Sequence, residues 1–103
     1  MTKMRDFRTY QLSVQFYHLT KELGLTGALR EQLQRAASSI SLNLAEGSGK
    51  PSLRDQLKYF HIAQGSLREC QAILTLEQLE NTEAWSKLDS LGAHLYKLIR
   101  NAR

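Results

Sequence analysis

An all-α fold, specifically an antiparallel up-down-up-down four-helix bundle, is predicted for these 103 residues by three observations. Apolar residues recur at spacings of three and four along nearly the whole chain, and nowhere do they alternate as in a half-buried strand. Glycines and capping residues cut that pattern into four stretches. The sequence holds one proline, and proline scarcity suits long helices. Short connections make consecutive helices antiparallel neighbours. The length fits one domain spanning residues 1–103.

The first helix is expected from about Asp6 to Leu23. Phe7, Tyr10, Val14 and Tyr17 form one stripe, and Leu12, Phe16, Leu19 and Leu23 a second. Two stripes on one helix imply contact with more than one neighbour. Gly24 stops it. The second helix starts near Thr26, a possible N-cap. Its stripe is Leu29, Leu33, Ala36, Ala37, Ile40 and Leu44, and it is expected to end in Gly47-Ser48-Gly49-Lys50, where a glycine can take positive φ and close it. Small and polar residues crowd this helix, which predicts close packing against its neighbours.

The third helix carries the clearest start signal. Ser52 is a good N-cap, and Asp55 three residues on completes a capping-box-like pattern. Pro51 restricts the approach to the cap. Leu53, Leu57, Phe60, Ala63, Leu67, Cys70 and Leu74 form the stripe, and Leu76 and Leu79 extend it. Gly65-Ser66 inside this helix predicts a close helix approach, the ordinary compensation for a helical glycine. Glu80-Asn81-Thr82-Glu83 is the last turn. Thr82 caps a fourth helix lined by Trp85, Leu88, Leu91, Leu95, Leu98 and Ile99, with Arg100 and Arg103 placed to suit its C-terminal dipole.

Composition narrows the function classes. With 42% hydrophobic residues the chain is not of disordered type. The single cysteine, Cys70, cannot form an internal disulfide and reads as core. No run of 18 apolar residues exists, so no membrane span is expected. Met1-Thr2-Lys3-Met4-Arg5-Asp6 leads into no apolar segment and does not read as a signal peptide, so a cytoplasmic location is expected.

The net charge is +4, and the whole excess falls in residues 1–58. Arg5 and Arg8, Arg30 and Arg35, and Lys50, Arg54 and Lys58 are candidates for phosphate contacts, which require no sequence-specific geometry. Free N–H groups at the start of the third helix, beside Lys50 and Arg54, could receive an anion. Tyr10, Tyr17, Tyr59 and Tyr96 offer rings that could stack on bases. For Tyr10 and Tyr17 packing is the favoured reading.

No catalytic constellation emerges. None of His18, His61 and His94 stands three residues after a glutamate, as di-metal bundles require. Neither a metal nor any other cofactor is expected. Ser38, Ser39, Ser41 and Ser66 have no base at a motif spacing. Gly47-Ser48-Gly49-Lys50 fails as a phosphate loop in sequence and context. Glu46 and Glu69 could act as an acid pair only if their helices place them together. Asn43 lies beside the buried stripe and is expected to find Glu46 one turn on, as a polar clamp that fixes helix register.

The stretch Leu33-x-Arg35-Ala36-Ala37-x-Ser39-Ile40-x-x-Asn43-x-Ala45-Glu46-Gly47 strongly resembles the bacterial four-helix-bundle family that includes ribosomal-RNA intervening-sequence proteins. These are encoded within insertions in large-subunit ribosomal RNA genes. Phe60-x-Ile62-Ala63-x-Gly65-Ser66-x-x-Glu69 resembles the family's second signature. The likeness extends to the accessory variability determinant of diversity-generating retroelements, a pentameric barrel that binds nucleic acid and partners a reverse transcriptase.

The resemblance implies a homopentamer, contact with RNA or DNA through basic residues, possible partnership with a reverse transcriptase, and no catalysis. It also implies that Asn43, Glu46, Gly47, Gly65 and Glu69 are structural. The expected function is a non-enzymatic oligomeric accessory protein that binds nucleic acid. The alternative is a protein-interaction scaffold that does not.

Overall fold

In the computed structural model, residues 7–102 are described. The expected helix start at Asp6, the pairing of Arg5 with Arg8, the reading of the first six residues and the placement of Arg103 involve positions outside that range. The helices are α1 (Arg8–Thr20), α2 (Gly27–Ser48), α3 (Leu53–Leu76) and α4 (Glu83–Asn101). No strand occurs among the described residues. Each helix packs against its sequence neighbours, and α1 closes the ring against α4. The four form an elongated bundle measuring 39 × 21 × 21 Å.

Apolar periodicity sets the core as expected. Leu12 and Phe16 of α1 meet Leu33, Ala36, Ala37, Ile40 and Leu44 of α2. Phe60, Ala63, Leu67, Cys70 and Leu74 of α3 join Leu88, Leu91, Leu95 and Ile99 of α4. The first stripe of α1 is half-buried: Phe7, Tyr10 and Tyr17 pack on the edge of that core. Around the ring, the α2–α3 contact is the most extensive and α3–α4 the least. Small side chains explain the first. Ala36, Ala37 and the serines of α2 let both neighbours approach, and hydroxyls pair across the seams. Ser41 donates to Ser13 on α1 (2.8 Å), and Ser39 and Ser66 are hydrogen-bonded between α2 and α3 (2.8 Å).

The expected caps on α3 and α4 form. Ser52 Oγ accepts from the Asp55 N–H, and Thr82 Oγ1 accepts from the Trp85 N–H. Thr26 occupies the N-cap position of α2 in an extended conformation, but its hydroxyl makes no cap bond. Gly24 turns the chain after α1 with φ of 76°.

Two expected boundaries shift. α1 ends at Thr20, three residues short of the expected Leu23. α2 ends within Gly47-Ser48-Gly49-Lys50 as expected, at Ser48, but its cap Gly49 has φ of −89° rather than a positive value. α3 does not continue through Leu79. It ends at Leu76 because Gln78 adopts φ of 57°. The N–H groups of Gln78 and Leu79 then fold back onto the carbonyls of Thr75 and Leu74. This is the Schellman arrangement, with glutamine where glycine is usual. Leu79 packs against the core instead of extending the helix.

Candidate nucleic-acid interface

Chain reversal gathers charge at one end of the bundle. The N-termini of α1 and α3 and the C-termini of α2 and α4 lie together, as the proximity of Phe7, Ser48, Phe60 and Ala102 around one cavity shows. That half carries Arg8, Lys50, Arg54, Lys58, Lys97 and Arg100 against Glu46 and Asp55. The opposite half carries Lys21, Arg30, Arg35, Arg68 and Lys87 against Glu22, Glu31, Glu69, Glu77, Glu80, Glu83 and Asp89. The bundle is therefore basic at one end and acidic at the other.

Most of the basic end is uncommitted. Arg8, Arg54, Lys58, Lys97 and Arg100 are exposed. The one ion pair among the described residues is Lys50 Nζ to Glu46 at 3.0 Å. That hydrogen bond, with the nearby Tyr59 hydroxyl and the Glu46 charge, raises the Lys50 pKa above its ordinary value. Lys50 and Lys58 both lie over the half-buried Tyr59 ring, 5.2 and 5.8 Å from its centroid. A cluster of unpaired cations at a bundle end raises the local concentration of anions and suits the backbone of a polyanion.

Of the residues singled out from the sequence, Lys50, Arg54 and Lys58 come together here. Arg30 lies at the acidic end and Arg35 near mid-bundle, so neither joins them. Arg8, also singled out from the sequence, joins them; Lys97 and Arg100 belong to the cluster and were not in the predicted set. Counting charge by halves of the sequence hid them. Counting by helix ends in the up-down topology would have found them.

The polar motif residues settle differently from expectation. Asn43 does not turn to Glu46. Its Nδ2 donates back to the Ser39 carbonyl (2.8 Å) and to Ser39 Oγ (3.1 Å), while Glu46 is taken by Lys50. Asn43, Ser39 and Ser66 thus form one polar link across the α2–α3 seam. This pairing with Ser66 and the contact of Gly47 with Phe60 fix the register of the two helices. In that register Glu46 and Glu69 are separated by roughly 13 Å along the bundle at 1.5 Å rise per residue, so they cannot share a proton as an acid pair.

The glycines exchange roles. A Cβ on Gly47 would stand 2.8 Å from Phe60 Cε1, whereas one on Gly65 would meet nothing within 4 Å. The close approach expected at Gly65 is at Gly47. Gly65 and Glu69 are exposed on α3, as is Ile62 (43%), and Leu42 (68%) is exposed on α2.

Cys70 is fully buried among the core side chains. Burial, assisted by the Glu69 charge, pushes its thiol up to about 12, so it is no nucleophile near neutral pH. Among the described residues no group of three His, Cys, Asp or Glu side chains could hold a metal ion. No described helix is long and apolar enough to cross a membrane.

These features define a four-helix-bundle protein with a charge-segregated surface. The chain belongs to the 23S rRNA-intervening sequence protein family, whose model matches residues 7–102. No curated protein matches it.

Proposed function

We propose that this chain is a non-enzymatic accessory protein of the cytoplasm that binds the backbone of RNA or DNA through the basic end of its bundle. The carrying observation is the set of exposed, unpaired cations, Arg8, Arg54, Lys58, Lys97 and Arg100, gathered from three helices at one end. Self-association would strengthen the basic end. In a ring of parallel bundles, such as the homopentamer implied by the family likeness, these ends would form one continuous basic rim. The exposed apolar side chains of Leu42 on α2 and Ile62 on α3 offer surface for contact between copies.

The test is titration against labelled duplex DNA and RNA at several salt concentrations. Neutralising three or four phosphates per subunit predicts a slope of log K against log salt of roughly −3 to −4. The double variant Arg54→Glu/Lys58→Glu should weaken binding and flatten the slope by about 2. Absence of binding at low salt would discard this function.

That outcome favours the second reading, a scaffold for other proteins. The exposure of Leu42 and Ile62 is the observation that supports it. A reverse transcriptase partner rests on the family likeness alone.

A further inference from the structure

Accepting that nucleic acid is bound at the basic end, we propose that the groove between α3 and α4 receives the bases of a single strand, with Tyr96 as the stacking platform. α3 and α4 form the least intimate of the four helix contacts around the ring. Two cavities, of about 370 and about 220 Å³, open along their seam and share Gln64 and Tyr96 as walls. Arg68 and Gln71 border the larger, and His61 and Arg100 the smaller. On the floor, Gly92 presents no side chain opposite Leu67, where a Cβ would already be in van der Waals contact at 3.7 Å.

Tyr96 is the tyrosine with a free face. Its residue is 58% exposed. Tyr10, Tyr17 and Tyr59 are half-buried, and cations already lie over the last two: Lys21 on Tyr17, and Lys50 and Lys58 on Tyr59. A flat ring at the mouth of a groove gains by stacking on a base regardless of sequence. The amides of Gln64 and Gln71 supply donors and acceptors for base edges. Arg100 leads from the smaller cavity to the basic end, giving phosphates a path with the bases turned inward. The lining mixes the amides, imidazole and guanidinium groups with the Asp89 carboxylate and the apolar Leu67, Leu95 and Ile99, and so offers base edges hydrogen-bonding partners that the apolar face of another helix would leave unused.

The experiment compares wild type, Tyr96→Ala and Tyr96→Phe by fluorescence anisotropy. Three end-labelled probes of equal length are used: an oligoadenylate, an abasic strand and duplex DNA. Loss of one stacked base predicts about 5- to 150-fold weaker oligoadenylate binding by Tyr96→Ala. Tyr96→Phe should stay near wild type, and the abasic and duplex affinities should not move. Because Tyr96 is exposed, the alanine variant is expected to fold, which circular dichroism verifies.

If wild type binds with salt dependence and Tyr96→Ala binds oligoadenylate equally well, the groove is wrong and the basic end stands. Equal losses on the abasic strand also overturn it. So does a change in oligomeric mass on Tyr96→Ala, because Tyr96 then lies in a contact between copies. Failure of wild type to bind any probe removes both this proposal and the function beneath it.

Discussion

Gly47 and Gly65 are both helical glycines, and the structure predicts opposite signs for the same substitution. At Gly65 a methyl group meets open space. Gly65→Ala therefore gains only helix propensity, about 0.8–1 kcal/mol of added stability. At Gly47 the new Cβ stands 2.8 and 3.0 Å from Phe60 ring atoms and 3.0 Å from the Tyr59 Cβ. The Phe60 ring is enclosed at 3% exposure, and the Tyr59 Cβ moves only with its backbone.

Relief at Gly47 requires α2 and α3 to separate or the ring to leave its well. Overpacking of that kind costs about 1–3 kcal/mol. Subtracting the same propensity gain leaves Gly47→Ala destabilised by about 1 kcal/mol. For a domain of this length that lowers Tm by about 4–8 °C, while Gly65→Ala raises it by a similar amount.

Thermal unfolding followed by circular dichroism decides the matter, at two protein concentrations so that a contact between copies at Gly65 shows as a concentration-dependent loss. Adding Phe60→Leu to Gly47→Ala should recover part of the penalty for the methyl group, measured against Phe60→Leu alone. Equal stabilisation by both glycine substitutions would refute the close-approach argument, as would a double variant that recovers nothing.

Two further outcomes follow from the turns and the core. Gln78 holds a left-handed conformation that costs an L-residue about 1–2 kcal/mol. Gln78→Gly should therefore raise stability by up to about 1 kcal/mol after the flexibility of glycine is deducted, read as a shift in the urea midpoint with unchanged slope. The Cys70 thiol is held up to about 12 in the folded chain against an ordinary value of 9.0. Its folded pKa is the higher one, so the contribution is fully present below pH 9 and is lost as the pH rises from there toward 12. Alkaline unfolding should accordingly be less steep in Cys70→Ala, and a thiol reagent at pH 8 should modify Cys70 only as fast as the bundle opens.

Much of the fold was legible from residues close together in the chain. The 3–4 spacing of Leu33, Ala37, Ile40 and Leu44, or of Leu88, Leu91, Leu95 and Ile99, makes a stripe that water expels whatever the partner. The bonds that Ser52 and Thr82 make to N–H groups three residues on are equally local. So sequence by itself determined four amphipathic helices, the N-caps of α3 and α4, a buried Cys70 and an up-down order.

What depended on contacts between distant segments only the tertiary structure decided. Register across α2 and α3 put Gly47, and not Gly65, against Phe60. It also offered Asn43 the Ser39–Ser66 pair while Lys50 took Glu46. The end of α3 turned on Gln78 accepting a conformation that sequence preference disfavours, because Leu79 could then reach the core.

The basic end arose in the same way. Arg8, Arg54 and Arg100 are remote in the chain, and antiparallel packing superimposes the helix ends that carry them. Local spacing fixes which face of a helix is apolar. Only packing fixes which residues of two helices stand at the same height, and it is height along the bundle that sorts this protein's charge.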